Sequence, residues 1–147
     1  VQAIGQMLSR GGIKVNNVVA LPYNVYASAA TRREYTAFLF GWGTTTPDSS
    51  IGLSNVFATF DKEAGLGALN RSRYSNAQFD TVLKRALTEF NEAKRLAGLK
   101  EATRIAFNDV AVIPLYWPTV HWATRKGIAY KPRRGEETLA QEASLAK

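Results

Sequence analysis

The sequence predicts an α/β fold, a mixed sheet flanked by helices, and three observations lead there. Short runs rich in valine, isoleucine and aromatics alternate with segments of helical period. The first such alternation reads strand, helix, strand, and glycine or proline marks the joins. Hydrophobic residues make up 46% of the 147, enough for one core, since a chain of this size buries about 70% of its unfolded surface.

Taken in order, Val1, Ile4, Met7 and Leu8 share a helical face, and Gly11-Gly12 ends that helix. Residues 13–21 suit a strand by their valine and isoleucine content. Pro22 opens a short helix to about Arg33, because proline is tolerated in a first helical turn. Residues 35–42, aromatic and apolar, read as a second, well-buried strand. A helix between two strands implies a parallel pair with a right-handed crossover. Residues 41–50 are a loop by composition, and 51–60 a helix entered through Ser49 or Ser50. Residues 61–74, with Gly65 and Gly67 and no sustained period, read as a surface loop.

The clearest helix starts at Ser75, whose spacing to Gln78 is that of a capping box. Its apolar stripe is Phe79, Val82, Leu83, Ala86, Leu87 and Phe90. Asn91 or Glu92 starts a partner helix with Leu96, Leu99, Ile105, Ala106 and Val110 inward, so an antiparallel pair across a tight turn is expected. Residues 112–117 read as an edge strand because of Pro114. Residues 119–130 continue as extended or irregular chain, and a weak helix is expected over 136–146.

Composition narrows the chemistry. Cysteine is absent, which removes disulfides, thiolate metal sites and cysteine nucleophiles. No apolar run approaches the roughly 20 residues that cross a bilayer. Val1 to Leu8 already reads as the middle of a helix, so more chain is expected before Val1. The net charge of +7 is scattered apart from Arg32-Arg33 and Lys131-Pro132-Arg133-Arg134. A small basic nucleic-acid-binding domain is the alternative reading, hinted at by Arg71, Arg73 and Tyr74 and by Tyr130, Lys131 and Arg133. No RNP-like or helix-turn-helix pattern accompanies them, so no nucleic-acid partner is expected.

No catalytic or metal-binding residue is expected. His121 is the single histidine and lies beside Trp122 in an apolar stretch, so a zinc site would need mostly carboxylates. Asp48, Asp61, Asp80 and Asp109 stand apart in the sequence, and no pair has a spacing that announces acid–base work. Gly65-Leu66-Gly67 lacks the Gly-Lys-Ser of a phosphate loop, so no cofactor is implied. The loop after the second strand is more informative. Gly41 and Gly43 would let a ligand approach the backbone, Trp42 offers an apolar wall, and Thr44 to Thr46 offer hydroxyls. In open α/β sheets ligands bind beyond the carboxyl ends of strands. An ordinary connection with Trp42 in the core explains the same residues equally well.

Four motifs in order carry a resemblance. They are Ile13-Lys14-Val15 after the glycine-ended helix, Phe40-Gly41-Trp42-Gly43, the run from Asn70-Arg71-Ser72-Arg73-Tyr74 to Phe79-Asp80, and Ala111-Val112-Ile113-Pro114-Leu115-Tyr116. Together the chain resembles the C-terminal lobe of the dipeptide- and oligopeptide-type solute-binding proteins, family 5 of the ABC importers. Trp122 to Ile128 resembles that family's return strand toward the other lobe. The resemblance implies part of a type II-like (cluster C) periplasmic binding protein. Residues 1–128 would form a partial ligand-binding lobe and 129–147 the segment returning to the other lobe. It further implies a non-catalytic, periplasmic monomer with a signal peptide in the preceding chain. Such a receptor would hold a peptide-like or related solute by hinge closure and deliver it to membrane permease subunits. The implied contacts are Trp42, Gly41, Gly43, Thr44 and Thr45, with Asn70 and Tyr116 beside them. Peptide-binding members often carry an aspartate shortly after the Gly-Trp pair, facing the ligand's ammonium. Here threonines stand there and the first acid is Asp48, so a solute without a free amine is expected.

Overall fold

The computed structural model describes residues 1–44, 48–133 and 137–146. Thr45, Thr46 and Pro47 of the central loop, Arg134 of the basic run and Glu136 at the start of the expected terminal helix lie outside them.

The core is an antiparallel helix hairpin, α4 (Ala77–Thr88) and α5 (Glu92–Asn108). Asn76, not Ser75, caps α4: its side chain accepts from the N–H groups of Gln78 and Phe79 at 2.8 and 3.0 Å. Asn91 caps α5 through Lys94 N–H at 3.0 Å. Both caps satisfy backbone donors that the first turn leaves open, worth about 1 kcal/mol each. Phe79 and Leu83 are fully buried, and Val82, Ala86, Leu99, Ala102, Ile105 and Ala106 join them. Burying each large side chain contributes roughly 1.5–3 kcal/mol. The helices approach closely at Gly98, where a Cβ would stand 2.9 Å from that of Ala86. Leu87, Phe90, Leu96 and Val110, all expected inward, are exposed instead. Phe90 sits in the turn and Val110 beyond the helix end, where a 3.6-residue period no longer describes the chain.

One more helix packs on the hairpin. It starts as α3 (Ser50–Gly52) and widens into a π turn over Leu53–Phe57. Leu53 enters the core and Phe57 stacks obliquely on Phe79 and Phe107. The expected surface loop, 61–74, is only partly that. Asp61 and Leu66 exchange backbone hydrogen bonds at 3.0 and 2.9 Å, and Leu66 is buried. Gly67 follows with φ +68, and a Cβ there would meet Ala58 O at 2.5 Å, so only glycine fits this turn.

Toward the N-terminus, α1 (Gln2–Arg10) ends as expected. Gly12 N–H bonds Ser9 O and Ile13 N–H bonds Leu8 O, a Schellman motif with Gly12 at φ +89. The chain then folds back on α1, where Val18 and Val15 lie against Gly5. Helix α2 (Tyr23–Arg32) follows Pro22. Its Tyr26 stacks on Tyr35 at 6.2 Å and donates to Leu39 O at 2.9 Å.

The sheet departs from expectation. Among the described residues it has two strands only, β1 (Ile128–Tyr130) and β2 (Ala143–Leu145), paired antiparallel with Ala129 opposite Ser144. Residues 13–21, 35–42 and 112–117 carry no ladder, so the expected parallel pair and edge strand do not form here. The expected terminal helix is replaced by a 3₁₀ turn, Ala140–Glu142, leading into β2. A strand needs a partner's N–H and C=O groups, whereas a helix closes its own bonds. The helical and two-stranded parts together are consistent with an α/β unit, coarser than the mixed sheet expected.

Candidate functional site

The Gly41-Trp42-Gly43-Thr44 loop leaves the aromatic segment 35–40 and runs toward α3. The Trp42 and Phe40 rings lie 6.1 Å apart at 34°. Behind the indole sits Gly52 of α3, where a Cβ would stand 3.0 Å from Nε1 and 3.5 Å from Cδ1. The absence of a side chain at Gly52 therefore sets how deeply the ring seats. Trp42 keeps 36% of its surface open, so it is neither a core residue nor a free one. Added Cβ atoms at Gly41 and Gly43 would meet nothing within 4 Å. Neither glycine has a positive φ, so no turn or packing contact among the described residues demands glycine at either place. Thr44 closes the described part of the loop, and Thr45 lies outside it.

The far side of the loop is anchored by Asp48. Its Oδ1 accepts from Ser50 N–H at 2.7 Å and its Oδ2 from Arg95 Nη2 on α5 at 2.7 Å. The Ser50 N–H first, and the Arg95 guanidinium after it, hold this carboxyl below the usual carboxylate range. Both side chains are about a third exposed. The tether joins α3, and with it the seat of Trp42, to the core hairpin. Sequence reasoning missed Gly52 and Arg95. A glycine in a helical run and an arginine 47 positions from its partner leave no local signal.

The other expected contacts are placed differently. Asn70 is buried, and its amide donates to Ala58 O at 2.9 Å and Tyr74 O at 2.7 Å. Its Oδ1 accepts from Tyr74 N–H at 3.1 Å and Ser72 Oγ at 3.2 Å. Its hydrogen-bonding capacity is used in holding the 58–74 turn. Tyr116 is 72% exposed in the unladdered segment after α5, and no ring contact or hydrogen bond joins it to Trp42. Gly41, Trp42, Gly43 and Thr44 are consecutive in one loop, while the hydrogen bonds of Asn70 are spent within its own turn and Tyr116 lies in the exposed segment after α5. His121 is exposed, and no group of three potential metal ligands occurs among the described residues. A depression of about 430 Å³ lies elsewhere, lined by Thr59, Phe60, Lys62 and Lys84 among others. Its Asp80 already accepts from Thr59 N–H at 3.0 Å.

Comparison with known proteins places these features in context. The chain is 30% identical over 104 residues to heme-binding protein A of Haemophilus influenzae, covering 71% of this chain and 18% of that protein. It is 27% identical over 128 residues to di/tripeptide-binding protein 2 of Pseudomonas aeruginosa, 87% of this chain and 23% of that one. A dipeptide-binding protein of the same species is 26% identical over 117 residues, 80% and 21% of the two chains. The chain thus spans about a fifth of the length of the curated relatives it matches. No family model matches it, and no solved structure does. Its relatives are binding proteins, not enzymes, and the chain is a relative of solute-binding proteins. More narrowly, it is related to the dipeptide-binding type, family 5 of the ABC-importer solute-binding proteins. No helix among the described residues is long and apolar enough to cross a membrane.

Proposed function

We propose that this chain forms part of the extracytoplasmic receptor of an ABC importer, a monomer that captures a small solute and hands it to permease subunits. Residues 1–128 contribute part of one ligand-binding lobe, and 129–147 return toward the other. A signal peptide precedes the chain in the intact gene product, and the receptor works in the periplasm without catalysing a reaction. Trp42 walls the cleft, Gly41 and Gly43 admit the solute to the backbone, and Thr44 and Thr45 supply polar contacts. The glycine–tryptophan loop carries this reading: among the described residues nothing demands glycine at 41 or 43, and the indole beside them is 36% exposed. The relationship to proteins named for binding dipeptides and heme supports it.

The solute carries no free ammonium group. Asp48 is the nearest acid in sequence to the loop, and both its oxygens are engaged, one by a backbone N–H and one by Arg95. A buried ammonium without a counter-charge is strongly disfavoured. Calorimetric titration of the intact gene product with alanyl-phenylalanine and its N-acetylated form tests this. The blocked form is expected to bind more tightly, and Trp42→Ala to weaken it about tenfold or more. Tight binding of the free dipeptide would defeat the amine-free reading.

A further inference from the structure

We propose that Arg71 is the anion seat of this cleft, receiving a carboxylate of the bound solute. The proposal rests on the reading of the Trp42 loop as a solute cleft and names the charge of its ligand. The Arg71 guanidinium carbon lies 5.6 Å from the centroid of the Phe40 ring, which itself adjoins Trp42. The cation therefore borders the wall where the solute would lie.

Its surroundings do not satisfy it. Nε donates to Thr31 Oγ1 over a long 3.3 Å, and the Tyr26 hydroxyl lies within hydrogen-bonding reach. The buried Nη1 has no hydrogen-bond partner among the described residues. Among the described residues, carboxylates pair with Arg32, Arg85 and Arg95, and none pairs with Arg71. Arg95 is the telling comparison. It is also partly buried, and the fold gives it a carboxylate at 2.7 Å. A guanidinium carries five N–H donors and no acceptor, and a shielded donor left without an acceptor is a standing cost to the fold. The Phe40 ring beneath it is an attraction to the cation and not an acceptor for that N–H.

A carboxylate meets this need geometrically, because its two oxygens match the planar fork of an arginine. Re-aiming the fork gives up little, since the Thr31 bond is long and the ring contact is not directional. One arginine over an aromatic floor fits a single small anionic group. A nucleic-acid backbone would call for a row of cations. The cleft then presents a cation to one end of the solute and no free carboxylate to the other.

The test uses the intact gene product and a panel of N-acetyl dipeptides, each as free acid and as C-terminal amide, titrated by calorimetry. The acids are expected to bind roughly tenfold or more tightly than their amides. Arg71→Gln is expected to bring the acid-to-amide ratio to about one, and Arg71→Lys to keep part of it. Equal binding of acid and amide by the wild type overturns the anion seat and leaves the solute reading standing. A preference that survives in Arg71→Gln overturns it too. So does an unchanged ratio with a lowered unfolding temperature, which would mean that the protein's own acid meets Arg71. If no panel member binds the wild type, both readings fall.

Discussion

Three residues other than glycine adopt the left-handed backbone, Arg33 at φ 64, Arg73 at 58 and Val110 at 53. Val110 is the most strained, since a β-branched side chain is least tolerated there. The reason it sits there is the end of α5. Val110 N–H bonds Phe107 O and Ala111 N–H bonds Ala106 O, so Val110 holds the position that glycine usually takes in a Schellman motif. Its side chain is 65% exposed, so little packing offsets the strain. Val110→Gly is expected to stabilise the chain by about 1 kcal/mol, read as a higher urea midpoint at unchanged slope. A lower midpoint would mean that the valine packs usefully. The same residue shows a limit of reading sequence. Its spacing from Ile105 and Ala106 marks it as inward, but the helix ends two residues earlier, at Asn108, and Val110 turns outward. Likewise, Ser75 and Asn76 are both good caps, and only the tertiary bond from Asn76 Nδ2 to Asp109, at 2.6 Å, reveals which one takes the place.

Among elements, the α4–α5 hairpin was legible because its signals are local: caps, a 3.6-residue stripe and a short turn. The α3 helix was legible in place but not in form, since nothing in Leu53–Phe57 announces a π turn. The tether from Asp48 to Arg95 was invisible, and it sets the stance of α3 against the hairpin. Its acid dependence follows from the sign of the shift. The Asp48 carboxyl is held below its ordinary range in the folded chain, so below about pH 4 the unfolded state binds the extra proton. Its contribution is therefore complete above that pH and disappears as pH falls through the lower folded value. With both side chains about a third exposed, the tether is worth about 1 kcal/mol or less. Denaturation of wild type and Asp48→Asn between pH 6 and pH 3 is expected to show a wild-type advantage that closes on acidification. Asp109, also held low by Tyr74 and Asn76, cancels in the subtraction. A gap that stays constant with pH would assign the difference to something other than the carboxylate's charge.

At the scale of the whole molecule, what the sequence promised and the described residues do not form is the parallel pair and edge strand of a mixed sheet. Residues 13–21, 35–42 and 112–117 are the apolar runs expected as strands, and none has a ladder. The last is the barest, with Ile113 75% and Trp117 93% exposed. Under the function proposed above, this exposed apolar surface is a face that further chain covers. Strand propensity is present in these runs, but a ladder also needs a second segment's N–H and C=O groups, and no described segment supplies them here. Under the same proposal, the remaining four-fifths of a protein of the relatives' length supplies them. Hydrogen exchange then separates two kinds of structure. Amides of α4 and α5 are expected to be protected in both the 147-residue chain and the intact gene product, since their bonds close within the hairpin. Amides of 35–42 and 112–117 are expected to exchange freely in the chain alone and to slow by orders of magnitude in the intact protein. Protection of these runs in the isolated chain would show that they pair without the rest, and equal lability in both would mean that the missing sheet is not theirs.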